Sequence, residues 1–223
     1  MKKKSSSGRP LCVRLKSTRG LTLSSRRWLT RQLNDPYVQQ AKAAGYRSRA
    51  SYKLIEIDDK FKILKPGMHV VDLGAAPGGW TQVAIERVGT TGFVVGIDLV
   101  PLEPIAEATL ICGDFTDVQV QEELKKTLKG PVQVVLSDMA ASSTGHSQTD
   151  HLRIMALAEE AFAFAQEVLE RGGVFIAKVL RGGTEKELLT LLKHHFEKVT
   201  HFKPPSSRAD SAEIYVIAIG FRP

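Results

Sequence analysis

The sequence predicts an α/β fold: a doubly wound, mostly parallel sheet of seven strands with an antiparallel last strand. Three observations lead there. From His69 onward, short apolar runs alternate with helical segments, the pattern of parallel strands joined by crossover helices. The first run, Val70-Val71-Asp72-Leu73, enters a turn made only of Gly, Ala and Pro (Gly74-Ala75-Ala76-Pro77-Gly78-Gly79) and then a helix. The final run follows its predecessor through a helix-free loop containing Pro204-Pro205, so it is expected to run antiparallel.

The elements follow in order. Residues 1–24 form a basic arm; Met1 to Gly20 is too poor in apolar residues to bury a core and is expected to be flexible. Residues 25–223 make one domain. From Leu21 to Gln40 the chain stays basic but carries Trp28, Leu29, Leu33 and Tyr37, enough to dock, with a turn at Asn34-Asp35-Pro36. Ser48 to Ile63 reads as a helix stopped by Lys65-Pro66-Gly67. Strands are expected at His69–Leu73, Gly92–Leu99, Thr109–Cys112, Val132–Leu136, Gly173–Leu180, Lys198–Phe202 and Glu213–Gly220. Helices are expected at Thr81–Val88, Val118–Leu128, Thr149–Glu170 and Glu185–Phe196.

Composition narrows the function classes. The 223 residues are 43% hydrophobic, yet no run of about 18 apolar residues occurs, and no apolar segment follows the Lys- and Ser-rich start. A membrane span and a secretory signal are therefore not expected. Cys12 and Cys112 lack metal spacing and the six histidines are scattered, so no metal site is expected. The net charge of +7 is uneven: Met1 to Lys53 holds fourteen Lys and Arg against one acid, Asp35, and the remainder is net acidic. Because the bias continues through Arg47, Arg49 and Lys53 into folded chain, nucleic acid is the favoured partner. A solubilising tail and a transit peptide are the competing readings of the extreme N-terminus.

Small residues after the first strand let backbone approach a ligand closely. The dinucleotide fingerprint G-x-G-x-x-G is absent and Pro77 interrupts the turn, so a pyrophosphate is not the expected ligand. An adenosine with an amino-acid tail fits better, which points to S-adenosyl-L-methionine. Asp98 ends the second strand, where an acid would meet ribose hydroxyls, and Asp114 follows the third, placed to meet an adenine amino group. Each acid alone could equally be a solvated turn residue or a cap.

The fourth strand ends at Asp138, and Lys178 lies inside the apolar fifth strand. A lysine there is costly unless paired or functional. With an antiparallel last strand, Glu213 reaches the same sheet edge, and Lys53, on the preceding helix, is the natural second cation. A lysine that is neutral can accept a proton, and a charged one can stabilise a developing alkoxide. Lys178 is expected in that role, with Asp138 orienting it and Lys53 and Glu213 positioning a ribose. A buried ion-pair network that only holds the sheet together is the competing reading. Ser206-Ser207-Arg208, shortly before Glu213, suits phosphate oxygens. The polar loop Ser142–Ser147 is read as either ordering on substrate or simply solvent-exposed.

The segments RWL…DPYVQQA, RSRASYKL, DLGAAPGGW, SDMA, FIAKV and SSRADSAEIYVIA together resemble the FtsJ-type (RrmJ-like) ribosomal RNA ribose 2′-O-methyltransferases, from about Ser25 to Pro223. The resemblance implies the Rossmann-like, seven-stranded methyltransferase fold and S-adenosyl-L-methionine as cofactor. It puts the family's catalytic Lys-Asp-Lys-Glu tetrad on Lys53, Asp138, Lys178 and Glu213. Cofactor contacts fall on Gly78, Gly79, Trp80, Asp98 and Asp114, with Asp138 near the methionine part. It further implies a uridine of large-subunit ribosomal RNA as target, within an assembled particle, and a cytoplasmic enzyme; a monomer is expected. One departure is visible: bacterial members usually carry proline and asparagine after SDMA, where this chain has Ala141 and Ser142. A tRNA or mRNA-cap ribose methyltransferase and a non-catalytic ribosome-assembly factor are the alternatives.

Overall fold

The structure, a computed structural model, describes residues 15, 20, 22–142, 144–181 and 185–223. The expected flexible arm falls almost wholly outside these residues, as does the side chain of Trp28.

Two short helices precede the sheet. α1 (Leu23–Leu33) starts under Thr22, whose hydroxyl accepts the Ser25 N–H at 3.1 Å. The Asn34-Asp35-Pro36 turn is the joint to α2 (Pro36–Ala44). Asp35 caps α2 by accepting the Tyr37 N–H at 3.0 Å, Pro36 takes the first turn, and left-handed Gly45 closes it. α3 (Ser51–Phe61) begins later than the sequence suggests, because the Ser48 carbonyl accepts both the N–H and the hydroxyl of Ser51 in a separate turn.

The alternation that follows is β1 (His69–Leu73), α4 (Gly79–Val88), β2 (Phe93–Asp98), β3 (Ala108–Cys112), α5 (Val118–Thr127), β4 (Val132–Ser137) and α6 (Ser147–Val168). It continues with β5 (Leu169–Leu180), α7 (Glu185–His195), β6 (Phe196–Phe202) and β7 (Glu213–Phe221). The sheet order is β3-β2-β1-β4-β5-β7-β6, with β7 antiparallel to both neighbours and the other pairs parallel. The expected strands and helices are present with shifted ends. The largest shift is at β5, which starts at Leu169 rather than Gly173. Val132 pairs with Leu169 and Val134 with Val174, so the intervening residues loop out, using the left-handed turn at Gly172.

Side chains alternate across the sheet. Val71, Leu73, Val95, Ile97 and Val135 join α6 and α7 residues such as Phe162, Phe164 and Leu192 in one core. Val70, Val94, Val134, Ile176, Tyr215 and Ile217 face α3 and α4, meeting Leu54, Ile57, Trp80 and Val83. β1 sits between β2 and β4, so a crevice opens at the carboxyl ends of the strands where the winding reverses.

Candidate active site

Two clusters occupy that edge. The first surrounds Lys178, which is 5% exposed and lies directly opposite Tyr215 in the β5–β7 ladder. Its ammonium donates to the Asp138 carbonyl at 2.7 Å and lies 3.2 Å from Asp138 Oδ1 and 4.0 Å from Glu213 Oε1. α3 packs over the same face and brings Lys53 Nζ to 3.5 Å from Glu213 Oε2 and 3.1 Å from the Tyr215 hydroxyl. The Tyr215 hydroxyl in turn donates to Asp138 Oδ1 at 2.6 Å. Lys53, Asp138, Lys178 and Glu213 are therefore brought together, from α3, the end of β4, β5 and the start of β7.

Electrostatics follow from these contacts. Burial alone would push the Asp138 carboxyl up, but Lys178, Lys53 and the Tyr215 hydrogen bond outweigh it and hold it below its ordinary value. Asp138 is thus an anion at neutral pH. Tyr215 moves the other way: burial first, then the Asp138 charge, raises it well above its ordinary value, so it remains a donor.

The second cluster lies at β2 and β3. A pocket lined by Gly74, Ile97, Leu99, Phe115 and Met139 carries Asp98 and Asp114 at its rim. Asp98 accepts the Ala76 N–H on Oδ2 and the Val100 N–H on Oδ1, both at 2.9 Å, which stitches the glycine turn to β2. Each oxygen keeps a second lone pair for a ligand hydroxyl. Asp114 Oδ1 accepts from the hydroxyl and N–H of Thr116, which together hold the acid below its ordinary value. Apolar walls with two acids at the rim fit an adenosine.

Gly78, Gly79 and Trp80 are not among the residues that line this pocket. A Cβ on Gly78, whose φ is +110°, would meet Ile105 Cδ1 at 2.6 Å; one on Gly79 would meet the hydroxyls of Ser48 and Ser51 at 2.5 and 2.7 Å. The Trp80 indole is spent on the core: Nε1 donates to the Ala50 carbonyl at 2.8 Å and the ring packs on Tyr215. What these three residues present is backbone at the start of α4. The departing loop is anchored through the Ser142 carbonyl, which accepts from Arg153 at 3.4 Å.

Sequence reasoning missed two members. Tyr215 links Lys53 to Asp138; its signal was a lone phenol in the aliphatic run Glu213–Gly220. Asp72, fully buried at the end of β1, accepts from the Thr81 hydroxyl at 2.7 Å. Its signal was an acid inside an apolar strand. Among the described residues no cluster of three or more His, Cys, Asp or Glu could hold a metal, and no helix is long and apolar enough to cross a membrane.

Known proteins are similar to this chain over most of its length. The ribosomal RNA large subunit methyltransferase E of Gluconobacter oxydans is 57% identical over 95% of this chain and 78% of its own. The protein of the same name from Parvibaculum lavamentivorans is 57% identical over 96% of this chain and 88% of its own. Among solved structures, a Plasmodium falciparum protein assigned as a ribosomal RNA methyltransferase has a TM-score of 0.72 at 34% identity, covering 79% of this chain and 98% of that one. Residues 46–221, from just before α3 to the end of β7, match one family throughout, and the chain belongs to the FtsJ-like methyltransferases.

Proposed function

We propose that the protein methylates a ribose 2′-hydroxyl of large-subunit ribosomal RNA, using S-adenosyl-L-methionine. The observation that carries this is a lysine–carboxylate cluster and a largely apolar pocket lined by Asp98 and Asp114 on the same sheet edge. In this reading Asp98 accepts from the ribose hydroxyls of the cofactor and Asp114 from its adenine amino group. Backbone at Gly78, Gly79 and Trp80, with Asp138, bounds its methionine part. When bound, the cofactor supplies a methyl group already activated by a sulfonium.

The chain's own residues then manage the acceptor. As the new C–O bond forms and the C–S bond breaks, the hydroxyl proton must leave, and Lys178 Nζ is the group that meets it. As a free amine it takes the proton, and as an ammonium it stabilises the developing alkoxide. Asp138, held ionised, fixes Nζ through its carboxylate and its carbonyl. Lys53 and Glu213 position the ribose, with the Tyr215 hydroxyl as the bridge between the two halves of the cluster. Holding both reactants in line supplies much of the acceleration.

Relatives named for large-subunit ribosomal RNA support that substrate, and family resemblance supports a uridine target and presentation by an assembled particle. We take the enzyme to act as a monomer in the cytoplasm. The test is transfer of radiolabel from the cofactor to ribosomal particles, free ribosomal RNA and tRNA, followed by nucleoside analysis. A 2′-O-methyluridine from large-subunit particles is the expected result. Label confined to tRNA would overturn the substrate, and cofactor binding without label in any RNA would overturn the reaction.

A further inference from the structure

The trough that leads to Lys53 and Glu213 is bounded by Arg31, Arg49 and Arg208, and beyond them it continues into a groove framed by Tyr37, Ser206 and Ser207. Four elements converge there: α1, the start of α2, α3 and the β6–β7 loop. Ser206 is already committed, since its N–H and hydroxyl both donate to Glu56 Oε2, at 2.8 and 2.7 Å. Asp35, the α2 cap, is buried and bridges two guanidiniums, with Oδ2 at 3.1 Å from Arg49 Nε and 3.4 Å from an Arg208 terminal nitrogen. Asp35 thus fixes two arginines, and exposed Arg31 and Asp210 complete the charged lining of the groove, so three guanidiniums stand against two carboxylates.

Three buried donors in this groove lack a hydrogen-bond acceptor among the described residues, one of them Arg49 Nε, which is held only by its ion pair with Asp35. Ser207 is only 8% exposed, yet its hydroxyl has no partner among the described residues, and neither has Arg208 Nε. A buried polar group left unpaired destabilises the fold. The groove is therefore short of an acceptor that the described residues do not provide. A hydroxyl beside oriented guanidiniums suits a ligand with several anionic oxygens. Because the groove runs on to Lys53 and Glu213, a ligand crossing it also reaches the catalytic cluster.

We propose that Ser207 and Arg208, with Arg49 and rim residue Arg31, form a subsite for one RNA backbone phosphate flanking the nucleotide whose ribose meets Lys178. The subsite rests on the proposed function and adds where the substrate strand is gripped. Arg49 and Arg208 are preset by Asp35, so little side-chain ordering remains when the phosphate arrives.

The test measures binding of a large-subunit ribosomal RNA transcript across a series of KCl concentrations, with S-adenosylhomocysteine present. Arg208→Ala is expected to weaken binding roughly tenfold at low salt and to lower the slope of log affinity against log salt by about one. Arg208→Gln keeps a donor for Asp35 while removing the charge, so its slope decides the matter if the alanine variant does not fold. A wild-type slope in the folded variants overturns the subsite, even if affinity falls, because only a structural role would then remain. Binding is scored apart from methyl transfer. RNA that is bound but never methylated would overturn the proposed reaction, while the slope would still decide the subsite.

Discussion

Lys178 and Asp72 both lie inside the sheet, one 5% exposed and the other not at all, and their neighbours give them different duties. Lys178 has a carbonyl and two carboxylates within 4.0 Å, so its position at the edge is fixed. Lys178→Ala is expected to lower kcat roughly 10²–10⁴-fold, with cofactor affinity retained; initial rates and calorimetry check both. Near-normal turnover would falsify the assignment. Asp72 accepts from the Thr81 hydroxyl on one oxygen and is further favoured by the Thr81 backbone N–H, while its Oδ1 has no hydrogen bond among the described residues. Burial, countered only in part by Thr81 and reinforced by Asp138 and Asp98, pushes it up to about 7. The folded protein therefore holds this proton more tightly than the unfolded chain does. The Asp72 contribution is intact at pH below about 4 and is lost as pH rises towards 7. Asp72→Asn keeps the acceptor for Thr81 without the charge. Its melting temperature should match wild type near pH 4 and exceed it above pH 7, by roughly 2–4 °C for each kcal/mol recovered. A difference that does not grow with pH would refute that account.

At the scale of elements, the segment between α2 and α3 is welded to α4. Gln82 accepts the Arg47 N–H and donates to the Gly45 carbonyl, the Tyr46 hydroxyl donates to Glu86, and Ser51 donates to the Gly79 carbonyl. Arg47 extends the weld. Its guanidinium donates to the carbonyls of Pro77 at 3.3 Å, Glu103 at 2.7 Å and Pro104 at 2.8 Å. One side chain thus ties the glycine turn to the loop after β2, on either side of the Asp98 pocket. Charge-assisted hydrogen bonds contribute about 1.5–3 kcal/mol each to the arrangement they hold. Arg47→Ala is expected to raise the cofactor Kd about tenfold or more, with kcat at saturating cofactor affected far less. Titration calorimetry with S-adenosyl-L-methionine measures it, and an unchanged Kd would show that the turn keeps its shape unaided. The strands and the helices from α3 onward were legible beforehand, because periodicity and turn residues act locally, whereas α1 and α2 were read only as a docking segment with a turn. Boundaries such as those of α3 and β5 were not, because Ser48 and Gly172 redirect the chain by contacts that periodicity does not encode.

For the whole molecule, the decisive property is the charge gradient. Fourteen basic residues stand against one acid up to Lys53, while the rest of the chain is net acidic. Removing residues 2–20, which carry seven Lys and Arg, should weaken RNA binding, flatten its salt dependence and leave the cofactor Kd unchanged. Binding isotherms at several salt concentrations would reveal it; an unaltered slope would mean that these charges meet solvent only. This gradient, the alternation of strand and helix, the small-residue turn and the acids at strand ends were all determined by the sequence alone. Each depends on residue type and spacing along a few neighbouring positions, and parallel strands necessarily bring their carboxyl ends to one edge. Tertiary structure alone decided which of those groups touch. The Tyr215 bridge joins residues 77 and 162 positions away, and Arg208 meets Asp35 across 173. Such contacts exist only once β7 is laid antiparallel beside β5 and α2 and α3 have docked, since no local pattern encodes the partner of a side chain that far along the chain.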